Sequence, residues 1–249
     1  MLLEVDNVVA GYGITKVLKG LSLEVEAGES LAVLGANGAG KTTLMMTLAG
    51  LLRPWEGSIR LDGDDITAVP AEDRPALGIV LAPEGRRIFS ALSIEENLLM
   101  GATALRRRFG AVEARRRAAA ALERVYAMFP VLGDRRHEGG ANLSGGQQQM
   151  LAIGRALAAE PRVLLMDEPC LGLAPKVSNE VYAALRVLRD EGQSLIVVEE
   201  SSRRALDFAD RACVLKLGVK ALEGAARTMR EDSRLLEAYF GIDAAGTAP

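Results

Sequence analysis

The 249 residues, 49% of them hydrophobic, suffice for a full buried core, and a formal net charge of -3 leaves no basic face of the kind that holds nucleic acid. The start, MLLEVDNVVAG, has acidic residues by position 4 and no basic stretch leading into an apolar run, so the expectation is a cytoplasmic protein without a secretory signal. No run of about 18 apolar residues occurs, so any membrane link would pass through another subunit, and Cys170 and Cys213 match no metal spacing and read as inert thiols.

Leu21, Leu23 and Val25 alternate with Ser22, Glu24 and Glu26, and Ile59 and Leu61 alternate with Ser58 and Arg60. Period two predicts half-exposed strands. The runs 31–34, 79–81, 163–166 and 195–198 are instead continuously apolar, which predicts strands covered on both faces, the core of a parallel sheet. From about 85 to 159 no strand pattern appears; Leu122, Val125, Tyr126 and Phe129 form an apolar stripe opposite Arg115, Arg116 and Arg117, so this insert is read as a helical subdomain. Val181, Leu185 and Leu188 predict a later helix closed by Gly192. Motifs occur once each, which argues for a single domain over 2–241, and residues 242–249, rich in Gly, Ala, Thr and Pro, are expected to be disordered.

Three strings carry the chemistry: GANGAGKTT at 35–43, LSGGQQQ at 143–149 and VLLMDE at 163–168. The first fits Gly-x4-Gly-Lys-Thr and stands between the strand SLAVL and the helix-like TTLMMTLAG. In such a phosphate cradle Lys41 reaches the β- and γ-phosphates, the Thr42 hydroxyl ligates Mg2+, and Gly35, Gly38 and Gly40 let backbone N–H groups converge, with Ala36, Asn37, Ala39 and Thr43 completing the loop. Asp167, at the end of VLLM, can hold Mg2+, and Glu168 can orient or deprotonate the attacking water; the bland reading of either is a helix N-cap ahead of Pro169. Ser144, with Gly145, Gly146 and Gln147 behind it, reads both as an N-cap and as an anion site of bare N–H groups, and the two readings are compatible.

The order and spacing of these strings resemble the ATP-binding cassette family, the nucleotide-hydrolysing subunits of ABC transporters. PEGRRIFSALSIEENLLMGA (83–102), QQQMLAIGRAL (147–157) and DEPCLGLAP (167–175) look like the second ATPase of branched-chain amino-acid importers. The resemblance implies an α/β fold: a P-loop NTPase core with a mostly parallel sheet, an N-terminal antiparallel β subdomain and the inserted helical subdomain. It implies an ATPase that uses ATP and Mg2+, with Glu168 as the base. It further implies a head-to-tail dimer, homo- or heteromeric, in which Ser144, Gly145, Gly146 and Gln147 bind the γ-phosphate of ATP held by a second cassette. Integral membrane permeases and, indirectly, a periplasmic binding protein are the implied partners, with the subunit peripheral on the inner face of the cell membrane and powering amino-acid uptake.

Tyr12 matches the position of an aromatic ring stacked on adenine, against the alternative of an ordinary turn residue. Glu84 stands where many members carry a glutamine that contacts Mg2+ and the water, against the alternative of a solvated loop acid. Glu200 departs from the family, which has histidine there, and from the importer look-alikes, which have glutamine. His137, the single histidine, precedes LSGGQ, cannot fill that place and reads as a surface residue. The arginine triplets at 106–108 and 115–117 read as solvated helix surface, and 88–99 as either a groove for a permease helix or subdomain packing. A soluble cassette that acts as a scaffold, for example in iron–sulfur assembly, is the alternative function; a DNA-repair cassette is disfavoured because no long coiled coil separates the motifs.

Overall fold

A computed structural model describes residues 1–200 and 202–230, so the end of the expected domain and the tail at 242–249 lie outside the described residues. In chain order the elements are β1 (Leu3–Tyr12), β2 (Thr15–Val25), β3 (Ser30–Leu34), α1 (Lys41–Leu48), β4 (Glu56–Leu61), β5 (Asp64–Asp65), α2 (Arg74–Leu77) and β6 (Ile79–Ala82). There follow α3 (Ile94–Phe109), α4 (Ala111–Met128), α5 (Pro130–Asp134), α6 (Gly145–Leu157), β7 (Val163–Asp167), α7 (Pro175–Asp190), β8 (Ser194–Glu199), α8 (Ser202–Phe208), β9 (Arg211–Lys216), β10 (Val219–Ala225) and α9 (Ala226–Met229).

Among the described residues there are two sheets. The first, in the order β2-β1-β4-β5, is antiparallel throughout. The second, β10-β9-β3-β8-β7-β6, is parallel from β9 to β6 and adds β10 antiparallel at one edge. Together with the helices this is the P-loop NTPase architecture.

The central strands show why continuous apolar runs, not alternating ones, encode this sheet. Leu164 and Met166 of β7 and Leu195 and Val197 of β8 face one core, shared with Leu98, Leu122, Val125, Leu151 and Leu185 of the helices. Val163 and Leu165, with Ile196 and Val198, face a second core between the sheets, shared with Leu44 and Leu48 of α1 and with Val5, Leu23 and Ile59 of the antiparallel sheet. Both faces of each strand are therefore dry. In β2 and β4 only one face is buried, and period two survives.

Between β6 and β7 the chain is helical. A capping box between Ser93 and Glu96 starts α3, with Glu95 and Glu96 in the first turn and Arg106, Arg107 and Arg108 in the last, the charge order that favours the helix dipole. Of the two arginine triplets, Arg106, Arg107, Arg115 and Arg116 are exposed, as read from sequence, while Arg108 and Arg117 are half-buried. Arg117 Nη1 donates to Glu160 Oε2 at 2.7 Å, Arg108 Nη1 to the Glu160 carbonyl at 3.0 Å, and Arg107 pairs with Asp73, so they tie the helical insert to the sheet-bearing core. Periodicity could not show this, because the acceptors are distant in sequence. No helix among the described residues is long and apolar enough to cross a membrane.

Candidate functional site

The loop 35–40 joins the C-terminal end of β3 to α1. β3 is buried along its length and paired on one side with β8 and on the other with β9, so the loop leaves a rigid support. Gly38 and Gly40 have φ of 80° and 106°, a region open to glycine, and nothing stands within 4 Å of where a Cβ of Gly38 would lie. α1 has no side-chain cap and no acidic residue in its first turn, so its first N–H groups and its positive dipole end are left for an anion.

Lys41, only 5% exposed, donates from Nζ to the Gly35 carbonyl at 2.8 Å and to the Ala36 carbonyl at 3.4 Å, and its ammonium lies 3.6 Å from Glu168 Oε1. A cavity of about 460 Å3 opens over it. Asn37, Gly38, Gly40, Thr42 and Thr43 form its cradle side, and Glu84, Glu168 and Glu200 the facing side. Three carboxylates thus line the cavity with one ammonium, a surplus of negative charge that a bound cation would offset.

Behind them Asp167 is buried at the end of β7. Burial pushes its carboxyl up to about 6, against a hydrogen bond from Thr42 that lowers it; the nearby Glu168 and Glu84 charges add to the rise and Lys41 opposes it. Its Oδ1 has no hydrogen-bond partner. A buried carboxylate oxygen left without a donor, beside a threonine hydroxyl, is an all-oxygen set suited to a hard divalent cation such as Mg2+. Among the described residues no cluster of three His, Cys, Asp or Glu side chains forms a metal cage, so phosphate oxygens and water would have to supply the remaining ligands.

Glu168 follows directly and adopts φ 49°, a left-handed conformation that a non-glycine residue holds only under constraint. The constraint is visible: its N–H donates to the Val198 carbonyl at 3.0 Å, which hangs the residue from β8 and turns its side chain into the cavity.

The LSGGQ segment opens α6. Ser144 Oγ accepts from the Gln147 N–H at 3.4 Å, and Gln147 Oε1 accepts from the Ser144 N–H at 3.0 Å, a reciprocal capping box. Arg135 Nη1 also donates to Gln147 Oε1 at 3.0 Å, so that amide oxygen is already engaged. Gly146 has a packing role as well, since a Cβ there would stand 2.4 Å from Val177 Cγ1 of α7. Residues 144–147 do not line the cavity over Lys41. Gln148 and Gln149, next along α6, share a neighbouring cavity with Glu84 and Glu168.

A family model described as ABC transporter matches residues 18–171. The high-affinity branched-chain amino acid transport ATP-binding protein BraG of Pseudomonas aeruginosa is 39% identical over 240 residues, 96% of this chain and 100% of the relative. This chain belongs to the ABC transporter ATP-binding family. The probable branched-chain amino acid transport ATP-binding protein LivF of Archaeoglobus fulgidus is 33% identical, covering 94% of the cassette and 96% of the relative. The lipopolysaccharide export system ATP-binding protein LptB of Haemophilus influenzae is 32% identical, covering 96% and 97%. The ADP conformation of an ATP-binding cassette of an ABC transporter superposes with a TM-score of 0.82 at 26% identity, covering 96% and 98%. A dimeric bacterial ABC transporter cassette gives 0.75 at 28% identity, covering 91% and 99%. The cassette is an ATPase.

In this ABC ATPase, Tyr12 is half-exposed and does not line the cavity over Lys41; its hydroxyl donates to Met46 Sδ of α1 at 3.3 Å. Asn37 Nδ2 of the cradle donates to Glu200 Oε1 at 3.5 Å, so the carboxylate in the family's histidine position turns towards the loop. His137 is on the surface beside Glu95. Cys170 and Cys213 are buried and free, their thiols pushed up by burial to about 11 and about 12, as inert cysteines should be.

Residues that sequence reasoning missed also shape the site. Val17 of β2 and Leu171 close the cavity. Arg86, at φ 65°, donates from Nη1 to Gln148 Oε1 at 3.2 Å, tying the loop after β6 to α6. Tyr182 bonds Glu199, next to Glu200. Only the position of Tyr182 in the stripe with Val181 and Leu185 hinted at its burial.

Proposed function

We propose that this cassette is the ATP-hydrolysing subunit of an importer that powers uptake of amino acids, branched-chain ones first, through partner permeases. The observation that carries the cargo assignment is the 39% identity to BraG over that protein's whole length. In the proposed mechanism Lys41 and the N–H groups of the cradle hold the β- and γ-phosphates, and Tyr12 stacks on adenine. Thr42 and Asp167, with Glu84 nearby, would hold Mg2+, which would neutralise phosphate charge. Glu168 accepts a proton from the attacking water, which its fixed backbone aims at the γ-phosphate.

That residues 144–147 open α6 and do not line the cavity over Lys41 supports a head-to-tail dimer in which Ser144, Gly145, Gly146 and Gln147 meet the triphosphate of a second cassette. Two nucleotides would then sit at the interface, and closure followed by hydrolysis and reopening would drive transport. A cavity of about 770 Å3 beside α3 and α6, with Phe89, Met100 and Ala156 in its walls, supports docking of a permease helix there, at the border of 88–99. The absence of a membrane-crossing helix among the described residues fits a subunit held on the inner face of the membrane by such partners.

The similarity to LptB favours a second reading, lipopolysaccharide export. The test is to co-purify the cassette with the permease subunits it retains and reconstitute them with ATP on the cassette side. ATP-dependent accumulation of labelled leucine, isoleucine or valine with the cognate binding protein is expected. ATP-driven lipid extraction without uptake would overturn the importer reading, and a soluble complex without permeases would favour the scaffold role.

A further inference from the structure

At the far end of β8 the chain buries a carboxylate. Glu199 is 5% exposed, and the Tyr182 hydroxyl of α7 donates to its Oε1 at 2.9 Å. Tyr182 is itself held by an edge-on contact with Phe208 of α8, centroids 5.7 Å apart, and by the Arg204 guanidinium over its ring. Burial, and then the Glu199 charge, hold the phenol protonated well above its ordinary range, so it remains a donor. A buried carboxylate that accepts from a neutral phenol costs desolvation, and one use of such a polar contact in a core is to fix one arrangement of the elements it joins.

What it fixes lies one peptide away on either side. The Val198 carbonyl, before Glu199, holds the Glu168 N–H, and Glu200, after it, lines the phosphate cavity opposite Asn37. The segment 168–174 leads from Glu168 into α7, which carries Tyr182. The Tyr182–Glu199 bond therefore closes a ring: β7 end, connecting loop, α7, β8 end, and back to Glu168.

We propose that Tyr182 and Glu199 are positioning residues of ATP hydrolysis, clamping the end of β8 so that the Val198 carbonyl keeps Glu168 in its place over the cradle. The proposal rests on the reading of Glu168 as the base. Neither residue lines the cavity over Lys41; both act through the backbone at residue 198.

The test uses the full-length chain in its assembled transporter. Tyr182→Phe removes one oxygen and leaves the ring packing; its turnover is expected to fall about tenfold, as for a small misplacement of a reacting group, with KM for MgATP within twofold and the melting temperature within a few degrees of the parent. Glu199→Gln keeps an acceptor for the phenol and is expected to retain at least half the turnover. In a Glu168→Gln background, single-turnover hydrolysis should be insensitive to Tyr182→Phe, because the group being positioned is gone. Wild-type turnover in Tyr182→Phe overturns the proposal, and so does a rise in KM alone or an equal loss in the Glu168→Gln background. Should Tyr182→Phe fail to fold, Glu199→Asp decides in its place: it keeps the charge, withdraws the acceptor by one methylene, and must show the same loss with unchanged KM. Wild-type turnover in Glu168→Gln by itself would overturn the base assignment, a distinct result that does not involve Tyr182.

Discussion

Lys41 Nζ stands 3.6 Å from Glu168 Oε1 while donating to the Gly35 carbonyl, so one ammonium links the cradle to the residue at the end of β7. The link joins the proposed phosphate grip to the proposed base. Phosphate oxygens arriving in the cavity compete with the Glu168 carboxylate for that ammonium, and freeing the carboxylate is what would let it take a proton from water.

Glu168→Gln is accordingly expected to lower ATP turnover by about 100-fold or more while nucleotide affinity stays near that of the parent, because the cradle is intact. Size-exclusion chromatography with ATP should show a trapped dimer for this variant. Wild-type turnover would remove the assignment.

Lys41→Ala tests the cradle itself. Loss of the charge-assisted contacts should weaken MgATP binding by about tenfold or more in calorimetry. Equal affinity in variant and parent would place the triphosphate elsewhere.

Glu200 is the departure from the family with the clearest electrostatic direction. At an effective dielectric near 20, a carboxylate roughly 5 Å from a phosphate charge is disfavoured by about 3 kcal/mol. Glu200→Gln or Glu200→His should leave turnover unchanged or raise it. A tenfold loss in either variant with its fold intact would show that the carboxylate contributes positively.

Asp167 makes the nucleotide-free protein pH-sensitive. Its carboxyl, raised from 3.8 to about 6, binds its proton more tightly folded than unfolded, so unfolding free energy falls as pH climbs from about 4 to about 6 and stays lower above that. Asp167→Asn should remove this slope and, without magnesium or nucleotide, stabilise the protein near neutral pH by on the order of 2 kcal/mol. Urea titrations across pH would show it; parallel pH profiles for the two proteins would contradict it.

Arg74 anchors the other end of α1. Almost wholly buried, it donates to the Leu48 carbonyl at 3.3 Å and the Val69 carbonyl at 3.1 Å, and burial pushes it down to about 10. Arg74→Ala leaves a cavity and two carbonyls without their donor, so a loss of about 2–4 kcal/mol is expected in urea unfolding. A loss under about 0.5 kcal/mol would mean that the site relaxes around the gap.

The local part of the site could be read from the sequence. Lys41, Thr42, Asp167 and Glu168 occupy fixed places within short strings, and the dry strands β3, β6, β7 and β8 announce themselves because each is covered on both faces. What could not be read depends on partners far along the chain. Arg117 finds Glu160, Arg86 finds Gln148, and Tyr182 finds Glu199 only once the sheet has assembled. Periodicity reports whether a side chain is buried, not which polar atom it meets. Val17, in an exposed stretch of alternating strand, gave no sign that it lines the cavity over Lys41.

The strand order has a consequence for biosynthesis. β3, which carries the cradle, pairs with β8 and β9, whose residues are made about 160 or more positions later. A nascent chain halted at residue 190 has neither neighbour, so both edges of β3 are bare and prone to pairing with other chains. Nucleotide capture must therefore await release of the last third of the polypeptide from the ribosome, and a truncated product is an aggregation hazard, not a weak ATPase.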